Sequence, residues 1–292
     1  MYTDLHVHSQ YSDGTLTIKE IVTKAQSQDI TLLSICDHNS IDAYLREGDF
    51  CAGTGITLVT GVEINCKMHG TEYHILAYGF DIQNTQLHDL FQYNYGIYTN
   101  RDNTLIENMS KDYPTLSMEE FMKYERDRKN GGWDSLDYIK SKGLANNWQD
   151  YHSHVHKYNT APSRDFLHPV DVIKIIHNAG GYAVLAHLMT RLEQDTVKCE
   201  EAAMKFIGMG IDGFECYYPS HSDKIISVLL DICHRHDKIF TAGSDDHGGF
   251  NNIEGGCRYD MDVQKITASQ LYLNGILDYA CLQGQNSQKY GA

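Results

Sequence analysis

Short runs of β character recur along the chain, and most of them close on a histidine or an acid. "YTDLHVH", "TLLSICDH", "GYAVLAHL", "IDGFECYY" and "IFTAGSDDHGG" are separated by stretches with helical periodicity. Strands alternating with helices at this spacing indicate parallel pairing and an α/β architecture. An amphipathic helix is predicted over 17–28, with Thr17 as its cap and Glu20 three residues on as the partner of a capping box. Further helices are expected over 40–53, 170–178, 196–208 and 222–236. "ITLVTGVEINCKM" and "TEYHILAYGF" flank His69-Gly70 and read as a hairpin. From about Tyr95 to Ala161 the rhythm gives way to polar, tyrosine-rich sequence of helical tendency. The chain is therefore expected to divide into a first α/β part (1–94), an inserted, mostly helical subdomain (95–161) and a second α/β part (162–292).

The ends of the strands carry the chemistry. His6 and His8 stand two apart, so both point to one face of the first strand. Asp13 follows in a turn-like S-D-G. Asp37 and His38 end the second strand, Glu63 lies in the third, and His74 in the strand that returns from it. His187 ends "AVLAHL", and Asp245 with His247 forms a D-x-H after the last strand. In α/β sheets and barrels, active sites assemble at the carboxyl ends of the strands. Imidazole and carboxylate together suit Zn, Mn or Fe rather than Ca or a structural zinc site built from four cysteines. There are more such groups than one ion needs, so a multinuclear site is expected.

Composition narrows the partners. The 292 residues carry a formal charge of −15, which argues against gripping an extended nucleic-acid backbone. A small phosphorylated substrate remains compatible, because bound divalent ions would supply a local positive centre. No apolar run is long enough to span a bilayer and the N-terminus has no signal-peptide pattern, so no membrane partner is expected. The eight cysteines are scattered with no C-x-x-C pair. Cys36, Cys66 and Cys216 fall in or beside apolar runs, as reduced thiols of a cytoplasmic protein would.

The motifs "DLHVHSQYSDG", "SICDHNS", "TGVEI", "YHILAYGF", "VLAHL", "GFECYYPSHS" and "GSDDHG", spread from residue 4 to 248, together resemble the polymerase and histidinol phosphatase (PHP) family of phosphoesterases. The resemblance implies a distorted (β/α)7 barrel with up to three divalent transition-metal ions (Mn, Fe or Zn) at its C-terminal end. Carried over by motif, His6, His8, Glu63 and Asp245 would hold one ion. Glu63 would bridge to a second, completed by His74 and His187. Asp13, His38 and His247 would hold the third. Asp37 is expected to orient an imidazole by accepting its free N–H. The implied reaction is metal-assisted hydrolysis of a phosphate ester by a metal-bound hydroxide.

The subgroup resembled most closely carries a helical insertion and acts on nucleoside 3′,5′-bisphosphates and short 5′-phosphorylated oligonucleotides. Arg164, in "NTAPSRDFLHP", matches an arginine that clamps a second phosphate there, a task suited to the guanidinium fork. His221, in "YYPSHS", is a candidate to contact phosphate or protonate the leaving group. Arg191 is a further anchor candidate, and Tyr217 and Tyr218 are candidates to stack a base. The cluster His152, His154 and His156 lies in the insertion, away from the strands. His234 and His236 are expected at solvent or at the end of their helix. Two alternatives stand beside this reading. One is a histidinol-phosphate phosphatase, which would want a carboxylate for the substrate ammonium. The other is a regulatory module that keeps metals without turnover, against which the full ligand set and the lack of a polymerase-sized partner domain on this chain both count.

Overall fold

The structure is a computed structural model, and it describes residues 1–159, 164–190, 194–250, 253–254, 257–263 and 265–277. The chain opens with β1 (Tyr2–Val7), α1 (Ile18–Ser27), β2 (Ile30–Ile35), α2 (Asp42–Glu47) and β3 (Thr57–Leu58). The hairpin β4 (Gly61–Met68) and β5 (Thr71–Tyr78) follows, then helices α3 (Thr85–Met109), α4 (Met118–Phe121), α5 (Asp134–Ser141) and α6 (Trp148–Tyr158). The chain then alternates α7 (Pro169–Asn178), β6 (Tyr182–Leu185), α8 (Thr196–Gly208), β7 (Gly213–Tyr217), α9 (Asp223–His236) and β8 (Ile239–Ala242), before a small ribbon, β9 (Ile253–Glu254) with β10 (Cys257–Arg258).

Local signals explain the element ends. Thr17 and Glu20 close the expected capping box on α1, each side chain satisfying the other's backbone N–H. His69 and Gly70, both at positive φ (50° and 83°), make the tight turn that the β4–β5 hairpin needs. Pro169 sits in the first turn of α7 behind His168, whose side chain accepts from the Val170 amide. The expected helix over 40–53 is cut short. It ends at Gly48, whose φ of 63° with ψ of −139° is a conformation that favours glycine, so the chain leaves the helix six residues after entering it.

The strands form a parallel three-stranded sheet, β1–β2–β3, and a five-stranded sheet, β4–β5–β6–β7–β8. Isolated parallel bridges join their margins, Val7 with Asp246 and His38 with Glu63. β4–β5 is antiparallel, as the expected hairpin requires, and β5–β6 is antiparallel too, which the strand–helix alternation did not suggest. The β1–β2 ladder also breaks register between Asp4 and Val7, around His6. On β5 the face bearing His74 continues through Leu76 and Tyr78, which join Leu5, Leu32, Val184 and Ile239 in an apolar cluster below the polar mouth. The opposite face packs on the helices in the main core.

The polar stretch is helical as expected, but α3 begins at Thr85 and runs unbroken for 25 residues through position 95. The segment beyond it has an apolar cluster of its own, with Leu105, Ile106, Met109, Leu136, Tyr138 and Ile139 at its centre. Among the described residues no helix is long and apolar enough to cross a membrane. Six described cysteines, Cys36, Cys51, Cys66, Cys199, Cys216 and Cys233, are free and buried.

Candidate metal centre

The two histidines on β1 meet the far end of the chain. His6 and His8 bring their Nε2 atoms to 3.1 Å of each other, and both face Asp245, at 3.4 and 3.1 Å. Glu63 reaches the same point from β4, its Oε2 standing 3.3 Å from His6 and 3.2 Å from His8. Its other oxygen contacts His74 at 2.9 Å and His187 at 2.8 Å. Glu63 and His74 lie within β4 and β5, as the sequence places them. The hairpin runs on past the end of β2, so Glu63 bridges His38 and shares a face with His74 diagonally across the β4–β5 ladder. Asp13 is carried back by its turn to 3.3 Å from His247 and 3.8 Å from His38.

Eight of the nine expected ligands fall into three groups able to hold an ion: His6, His8, Glu63 and Asp245; His8, Asp13, His38 and His247; and His38, Glu63 and His74. His187 joins through its contact with Glu63. His8 and His38 thus each stand between two groups. Several buried atoms of the cluster, His8 Nδ1, His38 Nδ1, Glu63 Oε2 and Asp245 Oδ1, have no hydrogen-bond partner. Stranding such atoms away from water is costly, and a cation among them removes the cost. The donor set fits N/O-ligated divalent transition metals.

Charge is tightly shared. Burial disfavours an ionised Glu63, yet the imidazoles of His38, His74 and His6 and the His187 bond outweigh it and hold the carboxyl well below its usual range. Asp13 and Asp245 are held low against burial in the same way, by His247 and His38 and by His6 and His247. Against burial, the neighbouring Asp13 pushes His247 up to about 10 and Glu63 pushes His74 up to about 9. Burial prevails at His38, which falls to about 4.

Residues the sequence reading passed over hold this cluster in shape. Glu215, buried on β7, accepts from His6 Nδ1 at 2.9 Å and from the His187 amide at 3.0 Å. That contact fixes which His6 nitrogen faces the centre. An acid inside the apolar run "GFECY" was the available signal. Asp4 accepts from the Ser244 amide and hydroxyl, tying β1 to the loop of Asp245. Asn94 on α3 donates to Asn39 at 2.6 Å and to the Asn65 carbonyl, and Asn65 in turn reaches His74 Nε2 at 2.9 Å. His187 and Asp245 adopt positive φ, 29° and 55°, a strain often found where side chains must be aimed at a site.

Three expectations change. Asp37 accepts from the Ser9 amide and from the hydroxyls of Ser9 and Ser12, so it shapes the turn that carries Asp13 instead of orienting an imidazole. His221 is buried with Nδ1 bonded to the Cys216 carbonyl at 3.0 Å and Nε2 accepting from the Met189 amide. Burial pulls it down to about 4, which leaves it neutral and its nitrogens engaged, a poor acid for a leaving group. Tyr218 does not offer its ring to a base. It is buried, and its hydroxyl donates to Asp245 at 2.8 Å.

Arg164 is exposed, beside Asp165, whose carboxylate pairs with Lys67. Arg191 is outside the described residues. His154 bonds the Leu144 carbonyl, and the His152 and His156 rings stand 6.2 Å apart on α6. His234 is exposed in the last turn of α9, with its ring against Phe240.

The sequence matches the PHP domain over residues 4–247. The chain belongs to the PHP domain family. It is 27% identical over 269 residues to the 5′-3′ exoribonuclease of Haemophilus influenzae, covering 88% of this chain and 94% of that one. It is 33% identical to the 3′,5′-nucleoside bisphosphate phosphatase of Chromobacterium violaceum over 78 residues, 27% of each chain. A Bifidobacterium adolescentis protein assigned as a metal-dependent phosphoesterase superposes with a TM-score of 0.73 at 25% identity, over 94% of this chain and 95% of that one. PHP members are metal-dependent phosphoesterases, and this chain carries candidate ligand clusters to match.

Close packing behind the centre gives one test. A Cβ on Gly243 would lie 2.2 Å from His6 Cβ and 2.4 Å from Glu215 Oε1. Gly243→Ala should therefore cost about 1–3 kcal/mol of stability. It should also weaken metal binding, read by thermal unfolding and by elemental analysis after dialysis. Unchanged metal content would mean that the His6–Glu215 contact is not needed to present His6.

Proposed function

We propose that this PHP domain hydrolyses phosphate esters of nucleotides, with nucleoside 3′,5′-bisphosphates or short 5′-phosphorylated oligonucleotides as substrates. The observation that carries the reading is the convergence of nine imidazoles and carboxylates on one mouth, with buried ligand atoms left unpartnered. The names of the exoribonuclease and bisphosphate phosphatase relatives support the substrate class. In this reading the two bridges close β1, β2 and β4–β8 into a distorted (β/α)7 barrel, and residues 95–161 form the insertion beside its mouth.

His6, His8, Glu63 and Asp245 would hold one ion, Glu63, His74 and His187 a second, and Asp13, His38 and His247 a third, with Mn, Fe and Zn all suited to the donors. Bound ions would neutralise phosphoryl oxygens and make water ionise near neutral pH. The protein's own part is positioning. Glu215 holds His6, Tyr218 holds Asp245, and Asp37 holds the turn of Asp13. The free cysteines suit the cytoplasm.

The direct test is phosphate release from a nucleoside 3′,5′-bisphosphate, a short 5′-phosphorylated RNA and histidinol phosphate, using metal-reconstituted protein. The nucleotides should be strongly preferred. Preference for histidinol phosphate, or no turnover on any of the three, would overturn the reading. Arg164 tests the second anionic group. A hydrogen bond to a charged group is worth roughly 1.5–3 kcal/mol, or about ten- to a hundredfold. Arg164→Ala should lower kcat/KM by about that factor on the bisphosphate and hardly at all on p-nitrophenyl phosphate. Equal losses on both substrates would show that the arginine supports the fold or the metals instead.

A further inference from the structure

We infer that the loop between α4 and α5 is a clamp on one part of the centre, the group containing Asp13 and His247, and that Arg126 is its positioning residue. The inference rests on the metal-binding reading above.

Three carbonyls of the turn that carries Asp13 are received by this loop. Arg126 donates through Nη2 to the Ser12 carbonyl and through Nη1 to the Gly132 carbonyl, while its Nε lies 3.2 Å from Asp134. The Gly132 amide donates to the Asp13 carbonyl at 2.8 Å. Arg128 donates to the Gln10 carbonyl at 2.9 Å. The approach is close enough to need glycine. Gly131 and Gly132 take φ of 66° and 70°, and a Cβ on Gly131 would stand 2.8 Å from the Asp13 carbonyl oxygen and 2.5 Å from Phe250.

Phe250 makes the contact two-sided. It lies three residues after His247, its ring is 6.5 Å from that imidazole, and it meets Trp133 edge-on at 5.8 Å. The loop thus touches the segments that bear both Asp13 and His247. It is braced within the insertion by Asp137, which accepts from the Tyr124 hydroxyl, the Asp127 amide and the Asn130 amide group. His6 and Asp245 are held differently, by Glu215 and Tyr218 of the α/β part. Loosening the clamp should therefore act on one group and spare the others. Asp13 sits on a turn rather than a strand, so its affinity for an ion depends on how far that turn is already fixed before binding.

The test is an Mn(II) titration of the full chain by equilibrium dialysis and elemental analysis. Wild type should bind three ions. Arg126→Ala should weaken one of the three by about ten- to a hundredfold, the range for losing a hydrogen bond to a charged donor, with the other two unchanged. Arg126→Lys, which cannot fork to both carbonyls, should fall between. If Arg126→Ala does not fold, Arg128→Ala, whose side chain is exposed, should weaken the same ion by a smaller factor. Unchanged affinities in the variants, or equal weakening of all three ions, would overturn the clamp. Fewer than three ions on wild type would instead defeat the underlying three-ion reading, and the clamp with it.

Discussion

Glu63→Gln should lower turnover on a nucleoside 3′,5′-bisphosphate by about a thousandfold while the protein stays folded. Glu63 contacts His74 and His187 through one oxygen and stands within 3.3 Å of His6, His8 and His38 through the other, so it reaches every histidine of the cluster except His247. An amide keeps the shape but removes the charge, and presents N–H donors where the site needs a lone pair. Metal centres contribute several kcal/mol of charge stabilisation to such reactions, and losing about 4 kcal/mol of it corresponds to the thousandfold. The unfolding temperature of the metal-free protein should fall moderately as well, because the carboxylate is held ionised by His38, His74 and His6 and the amide withdraws that charge from them. Steady-state rates on samples of matched metal content decide the matter. Near wild-type turnover with a full complement of metal would show that Glu63 is not shared between ions.

Chelation should abolish turnover and lower the unfolding temperature by about 10 °C for each ion removed. His6 and His8 bring their Nε2 atoms to 3.1 Å of each other and four buried ligand atoms have no hydrogen-bond partner, a cost that bound cations would relieve. A ligand at a thousand times its Kd stabilises the folded state by roughly 4 kcal/mol per site. For a chain of this size each kcal/mol moves the midpoint by about 2–4 °C. Re-addition of Mn, Fe or Zn should restore both properties, with elemental analysis reaching three ions per chain. Saturation at one ion would sink the three-ion assignment. Activity that survives exhaustive chelation would sink metal dependence altogether.

Much of this was legible along the chain because the relevant signals are local. The capping box at Thr17 and Glu20 and the turn at His69-Gly70 depend on residues a few positions apart, whereas the stop at Gly48 falls inside a helix that the sequence pattern carries to 53. The ligand-type residues also announced themselves. Imidazole and carboxylate at the ends of apolar runs are costly to bury without a purpose, and His6 and His8 share a face simply because strands have period two. The α/β class and the helical character of the polar stretch after β5 followed from periodicity alone.

Partnership across the fold was not legible, because nothing in the sequence says which distant side chains will meet. Glu215 meets His6 across 209 residues, and Tyr218 finds Asp245 only when β7 and β8 pair. Asp37 and His221 had the right chemistry for catalytic roles, and the tertiary structure gave their polar atoms to Ser9, Ser12, Cys216 and Met189. The antiparallel β5–β6 pairing was decided by packing, as was the run of α3 through the expected boundary of the insertion. The sequence by itself thus determined which residues could bind metal and what local structure would carry them. The motifs had already grouped His6, His8, Glu63 and Asp245. The tertiary structure added both that His8 and His38 each stand between two groups and what holds each residue in place, because those contacts join segments that only the completed fold brings within hydrogen-bonding distance.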